Sequence, residues 1–454
     1  MPAPSDGVYQ LSVQDDATDR KLTLDLTRTG LTMHKLTIGS GRFPTRDVLC
    51  GPESSSSFKI EGRKFMNQVV GRYTNRLPAG KSYIIDSSRE EGGKRIEIDL
   101  DENEPFQDGR GNCLHSGQNG YDLREFEPVG ADSTIVQEFR STNTEPANSE
   151  SVSPPSLSSS SAHFHLHSPS GDQGFPEAID ILATVTLELL FPVPKDTDLT
   201  IPSETGPKSR IGRANFNLRA KLSDPEQVAR RDSGTPINLT WHTGYILNDF
   251  RGEPSDSNGI QQHKLWINSD HHLAVHQSQL PTGEIQPNKA LGIDFSTPEV
   301  IRPIGEIMPP SGFDQCFIFK NTPGDTVDNT KDPKAILRSP KDDLILVFYS
   351  NQTAVQCYSA NYFDGIGSRK ELHRRTPAEH EAGGYKKQEA IYLEFQEPSS
   401  LCTNLNLQNN LKALVDAGDH RLTKEENKSP TKITNTILYP NQVYSNWFFI
   451  DIFI

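Results

Sequence analysis

No stretch of this 454-residue chain approaches the roughly 20 consecutive apolar residues needed to cross a bilayer. The first residues, Met1 to Asp6, carry neither the basic nor the apolar region of a secretory signal. The expectation is a cytoplasmic protein with no membrane partner. Cysteine is scarce as well: Cys50, Cys113, Cys316, Cys357 and Cys402 are odd in number, far apart and never in a CxxC pair. Neither a disulfide framework nor a zinc site is indicated, and reduced thiols are expected. Positive charge is in deficit, with a net charge of −14, so the summed field repels phosphate backbones and excludes nucleic acid as a partner. No glycine-rich phosphate loop follows a strand, and the only helical signal is a turn or two at Leu411 to Val415, which disfavours nucleotide-binding α/β folds. Hydrophobic residues make up only 33%, so the core is smaller than the length suggests and is diluted by polar loops.

What the chain does have is a period of two, which puts alternate side chains on opposite faces of a sheet. The clearest case runs from Ile179 to Leu189, with Ile179, Ile181, Ala183, Val185, Leu187 and Leu189 on one face and Asp180, Thr184, Thr186 and Glu188 on the other. Shorter versions occur at Leu22 to Leu26, Ile96 to Leu100, Ile135 to Phe139, Leu344 to Tyr349, Ile391 to Phe395 and Trp447 to Ile454. Many short strands between turn residues predict an all-β fold, a large antiparallel β-sandwich with long polar loop insertions. The Ser/Pro/Asn-rich stretch 141–162 buries too little apolar area to offset its ordering entropy and reads as a disordered loop insertion. Similar excursions at Pro202 to Pro207, Asn321 to Lys334 and Thr423 to Lys432 look like insertions between strands, so the expectation is one domain spanning 1–454.

Eight segments follow one another between about Asn67 and Pro398: NQVVGRYTNRLPAGKSY, GNCLHSGQNGYD, SPSGDQGFPEAIDILATVTLEL, INLTWHTGYILN, HHLAVHQSQLPTGEI, GFDQCF, TAVQCYSANYFDG and AIYLEFQEP. In this order they resemble the galactose mutarotase (aldose 1-epimerase) family, whose fold is an antiparallel supersandwich. The resemblance implies interconversion of the α and β anomers of an aldose such as galactose or glucose, with no cofactor and no metal. It implies a small-molecule sugar partner and a monomer or weak homodimer. By position it makes His242 the general acid and Glu394 the general base, and it gives sugar binding to Asn75, Arg76, His115, Asp314 and Gln356. Three neighbours depart from the family pattern: Trp241 stands for an asparagine, Ser116 for a glycine and Phe395 for a threonine. The first ~60 residues match only in being strand-like.

These residue types suit the reaction. Opening a hemiacetal removes a proton from the anomeric hydroxyl and delivers one to the ring oxygen, and a carboxylate with an imidazolium can do both without a metal. Each position also has a plainer reading. His242 alone reads as a structural histidine, Glu394 as a carboxylate on the solvent side of a strand, and Arg76 with Asp314 as an ordinary ion pair. Trp241 is open between a platform for a sugar face and core filling. His163, His165 and His167 alternate, share one strand face and read as a solvated edge more readily than as a metal site. The competing function is a non-catalytic sugar-binding or regulatory protein on the same fold. Phosphorylated sugars rank lower, since the motifs place only Arg72 and Arg76 close together.

Overall fold

The computed structural model describes residues 7–41, 43–59, 63–86, 94–106, 111–141, 156–191, 200–201, 208–230, 233–250, 259–295, 298, 301–320, 331–374, 383–416 and 435–454. Three antiparallel sheets dominate. The largest is ten-stranded; its middle runs Ser156–Ser168, Ile179–Leu190, Lys208–Leu222, Tyr444–Phe453, Ile345–Ser350 and Ala335–Arg338. A six-stranded sheet has the order Gly244–Tyr245, Ile391–Gln396, Ala354–Tyr358, Asp314–Phe319, Ser269–Val275 and Pro281–Pro287. The N-terminal region, left unassigned by the sequence motifs, is a four-stranded meander of Val8–Asp15, Arg20–Thr27, Met33–Ser40 and Phe43–Asp47.

One continuous apolar cluster contains residues from all three sheets. Its centre is aromatic. Phe319 and Phe395 project from the six-stranded sheet and Phe348 and Phe448 from the ten-stranded one, with ring centroids 5.4 to 6.2 Å apart and nearly parallel planes. This is the layer between two sheets packed face to face. Tyr9 of the meander meets Phe164 of the large sheet edge to face at 5.4 Å, which joins the third sheet to the same core. The architecture is the large antiparallel β-sandwich that the alternation predicts.

Ile179–Leu190 follows the predicted faces, burying Ile179, Ile181, Ala183, Val185, Leu187 and Leu189 and leaving Asp180, Thr184, Thr186 and Glu188 half-buried. Two expectations fail locally. Ile135 to Phe139 is not a strand but part of the helix Thr134–Ser141, and its buried residues are Val136 and Phe139, three apart as a helix requires rather than two. The turn or two expected at Leu411 to Val415 belongs to a 12-residue helix, Leu405–Asp416, in which Leu407 and Leu411 form a narrow buried stripe one turn apart.

Within the loop expected over 141–162, residues 142–155 lie outside the described residues. Ser156–Ala162, however, is strand: it pairs with Val185–Leu190, with a register shift at Leu157, and Ser159 and Ser161 are exposed while Ser158 and Ser160 lie half-buried in the row of Ala162. A serine-rich composition hid the alternation because only Ala162, Phe164 and Leu166 mark the inner face. The excursions 202–207 and 423–432 lie outside the described residues, as does most of 321–334. All five cysteines are buried and unpaired.

Candidate active site

Alternation along the six-stranded sheet separates a core face from a polar face. Phe317, Phe319, Val355, Cys357, Leu393 and Phe395 enter the sandwich core. The residues between them point the other way: Asp314 on one strand, Gln356 and Tyr358 on the next, Tyr392 and Glu394 on the third. Register then sets neighbours. Gln356 lies directly opposite Glu394, and Gly244 lies opposite Tyr392. Continuing the second pairing by two residues brings His242 opposite Glu394, and the backbone keeps step because Leu393 N donates to Thr243 O. His242 Nε2 stands 3.3 Å from Glu394 Oε1.

The other sugar-binding candidates come from loops. Arg76 pairs with Leu114 in a short two-stranded ribbon, and His115 N donates to Asn75 O just beyond it. Asn75, His115 and Ser116 all have positive φ, at 61°, 49° and 69°. For residues with a Cβ this is a costly backbone, and its clustering here marks a turn held by its surroundings. The Ser116 hydroxyl is part of that hold: it accepts from Tyr73 N at 2.7 Å and donates to Tyr73 O at 3.2 Å. The turn lays the His115 ring edge to face against His242, with centroids 5.2 Å apart, and Phe65 closes over both.

All seven predicted positions are accounted for. His242, Glu394 and His115 converge, with one ligand-type atom of each within 4.8 Å of the others. Asp314 Oδ1 accepts from Gln356 Nε2 at 2.7 Å beside them. Asn75 is joined to His115, since its N–H donates to His115 Nδ1 at 3.1 Å. Arg76 lies close enough to act electrostatically on both Asp314 and Glu394. Two groups went unnoticed in the sequence, Glu104 and Asn112. Arg76 donates from Nε and Nη2 to the Glu104 carboxylate at 2.7 and 2.8 Å, and Asn112 Nδ2 donates to the same carboxylate at 2.8 Å. Asn112 lies in the GNCLH motif, but nothing in its type or spacing reveals a link to an arginine so far back in the chain.

The departures from the family pattern also find their places. Trp241 is core: its ring packs on Phe216 and Phe448 and its indole N–H donates to Leu31 O. Phe395 belongs to the aromatic layer between the sheets. The three alternating histidines form no metal-binding group among the described residues. Instead, His163 bonds Thr184, and His165 and His167 both bond Asp180 Oδ1 at 3.0 Å.

Burial sets the charges. His242 is 7% exposed and Glu394 2% exposed. Desolvation lowers the His242 pKa to about 4, against weaker support from nearby backbone groups, and raises the Glu394 carboxyl well above its usual range, with the Asp314 charge adding to the rise and Arg76 opposing it. Both shifts favour the uncharged forms, rather than the separate carboxylate and imidazolium that the residue types suggested. His115 is neutral too: burial, followed by the influence of His242 and Arg76, drives its pKa well below the usual value. Because Nδ1 accepts from Asn75, its one proton sits on Nε2.

That tautomer bears on metals. A divalent ion needs a bare ring nitrogen, and His115 offers none while Asn75 holds Nδ1 and the proton occupies Nε2. His242 and Glu394 alone make a poor cage, so the donor chemistry fits a proton-handling site better than a metal site.

The fold and the polar sheet face define the class, a mutarotase-like β-sandwich that brings an imidazole and a carboxyl group together. The sequence model of the family described as Aldose 1-epimerase matches residues 216–420, a span that includes His242, Asp314, Gln356 and Glu394. Human galactose mutarotase is 23% identical over 365 residues, covering 80% of this chain and 81% of its own. Aldose 1-epimerase of Escherichia coli is 26% identical over 344 residues, covering 73% of this chain and 75% of its own. Among solved structures, an aldose epimerase homologue from C. elegans superposes with a TM-score of 0.60 at 17% identity, covering 98% of both chains. Galactose 1-epimerase from Lactobacillus acidophilus gives 0.57 at 16%, also covering 98% of both chains. The family model, the curated relatives and the fold all match this chain to the aldose 1-epimerases and galactose mutarotases. Among the described residues no helix is long and apolar enough to cross a membrane.

Proposed function

We propose that this protein is an aldose 1-epimerase that opens and recloses the ring of an aldose such as galactose or glucose, with His242 and Glu394 as its proton-transfer pair. The observation that carries the reading is the approach of His242 Nε2 to within 3.3 Å of Glu394 Oε1 on a buried polar face. A single proton held between them serves the chemistry. As a sugar enters, the group without the proton takes one from the anomeric hydroxyl, and the group holding it delivers it to the ring oxygen. The open aldehyde turns about the bond between its first two carbons and closes from the other face, with the two roles exchanged. Glu394 as base and His242 as acid is one of the two assignments, and substrate binding that admits the Arg76 field to Glu394 favours it.

The remaining residues orient the sugar. Asp314 accepts from vicinal hydroxyls, Gln356 both accepts and donates, Asn75 and Arg76 donate, and His115 donates through Nε2–H near the ring oxygen. The same reading takes 1–454 as one domain acting on a free sugar in the cytoplasm, since the three sheets share a core.

Polarimetry on freshly dissolved α-galactose and α-glucose tests the activity. Acceleration over buffer that disappears in Glu394→Gln supports it. Saturable sugar binding with no acceleration in the wild type would instead make this a non-catalytic sugar-binding protein.

A further inference from the structure

Among the described residues, Arg76 is the permanent cation that acts on both Asp314 and Glu394, and it arrives there already occupied. Its Nε and Nη2 make a side-on, two-bond clamp with Glu104. Glu104 is in turn built in. Its backbone bridges to Asn112 in both directions, Asn112 N donating to Glu104 O at 2.9 Å and Glu104 N to Asn112 O at 3.2 Å. The Asn112 side chain bonds the Glu104 carboxylate and also donates to Ser278 O at 2.7 Å, which ties the clamp to the hairpin Ser269–Pro287. Burial works against the charge on Glu104, but the bonds and charge of Arg76, with the bond from Asn112, hold its carboxyl below the usual range. Other guanidinium groups close in sequence are also committed. Arg72 donates to the carbonyls of Ser168, Pro169, Pro176 and Glu177, and Arg63 pairs with Asp122.

We infer that Glu104 is a positioning and charge-selecting residue: it fixes Arg76 so that Nη1 is the edge left for a sugar hydroxyl, and it neutralises the cation so that the site takes neutral aldoses and turns away sugar acids and sugar phosphates. The charge count supports it. Glu104 offsets Arg76, so an incoming anion meets the Asp314 side chain and the Glu394/His242 pair while Arg63, Arg72 and Arg76 are each already committed to other partners. Like charges brought together in a poorly hydrated site repel strongly, whereas a hydroxyl accepting from Nη1 meets no such cost.

The inference rests on the site being a sugar site and extends it to substrate class, so its test includes a binding measurement that needs no turnover. Ligand-observed NMR titrations with galactose and with galacturonate give affinities for wild type, Glu104→Gln and Glu104→Asp, and polarimetry gives KM and kcat for galactose. Wild type should prefer the neutral sugar by about tenfold or more. In Glu104→Gln that preference should fall by about tenfold, with KM for galactose rising several-fold and kcat changing little. Glu104→Asp keeps the charge and should keep the preference. An unchanged preference in a folded Glu104→Gln, or a loss carried wholly by kcat, overturns the inference. Should Glu104→Gln not fold, the wild-type ratio and Glu104→Asp decide, and equal binding of both sugars by wild type overturns it. Galactose bound without accelerated anomerisation defeats the epimerase reading while leaving the charge preference measurable.

Discussion

His242, Glu394, Gln356 and Asp314 owe their meeting to strand register, whereas Asn75, Arg76 and His115 owe theirs to left-handed turns and bonds between loops. The two halves face each other across the same site but are held by different physics. On the sheet side, period-two alternation sends phenylalanines into the sandwich core and polar groups out from it, so the core anchors the functional residues at the cost of burying them. On the loop side no periodic pattern exists. Three residues with positive φ are held through the Ser116 hydroxyl and the Asn75 N–H, and Arg76 beside them is held by the Glu104 carboxylate. The sheet half is therefore expected to lose chemistry without losing the fold when altered, and the loop half to lose some of both.

The largest effect sharpens that contrast. Glu394→Gln and His242→Gln should each reduce kcat for galactose by about 10²–10⁴, the usual yield of a positioned acid or base, with circular dichroism unchanged. Glu394→Gln should also reveal the burial. A carboxyl whose folded pKa lies above its unfolded value stabilises least where the unfolded chain has ionised and the fold still resists, so the cost grows as pH rises above 4.5. The variant should match wild-type Tm near pH 5 and exceed it near pH 8. A Tm lowered at both values would show that the carboxylate is well solvated and the pair misdescribed.

The second effect extends the comparison to the whole molecule. Burial lowers His34 and His242 to about 4 and His263 and His373 to about 3. Each folded pKa lies below its unfolded value near 6.5, so the neutral rings contribute stability in full above that pH and lose it as pH falls through the window toward 4. Thermal melts from pH 7.5 to pH 4.5 should show Tm falling steadily below pH 6.5, and a flat profile there would contradict the buried neutral state. The third effect is the smallest and belongs to the loop half. Ser116→Gly relieves a left-handed backbone worth about 1 kcal/mol, but it strips the acceptor from the buried Tyr73 N–H, which costs about 1–3 kcal/mol. The balance is a loss on the order of 1 kcal/mol, read as a Tm lower by about one degree. A rise in Tm would mean that backbone strain outweighs the bond.

Legibility in the sequence followed the same division. Ile179–Leu190 was readable because apolar and polar residues alternate without a break, and Ser156–Ala162 was not because serine carries no such contrast. The helix at Thr134–Ser141 escaped because its short apolar run fits both periods, and only packing shows which of Ile135 and Val136 is buried. The ordered motifs marked all seven proposed positions, yet Glu104 and Asn112 were missed, since a clamp between residues on different turns leaves no spacing to read. Nor could the residue types show that burial would oppose charge on both His242 and Glu394.

Taken alone, the sequence determined that this is an all-β chain resembling the mutarotases and which side chains to propose for its chemistry, because alternation and motif order are local properties written along the strand. The tertiary structure alone decided that Glu104 holds Arg76, that Trp241 is core rather than a sugar platform, and that burial opposes charge on both His242 and Glu394. Those outcomes depend on distance and desolvation between segments far apart in the chain.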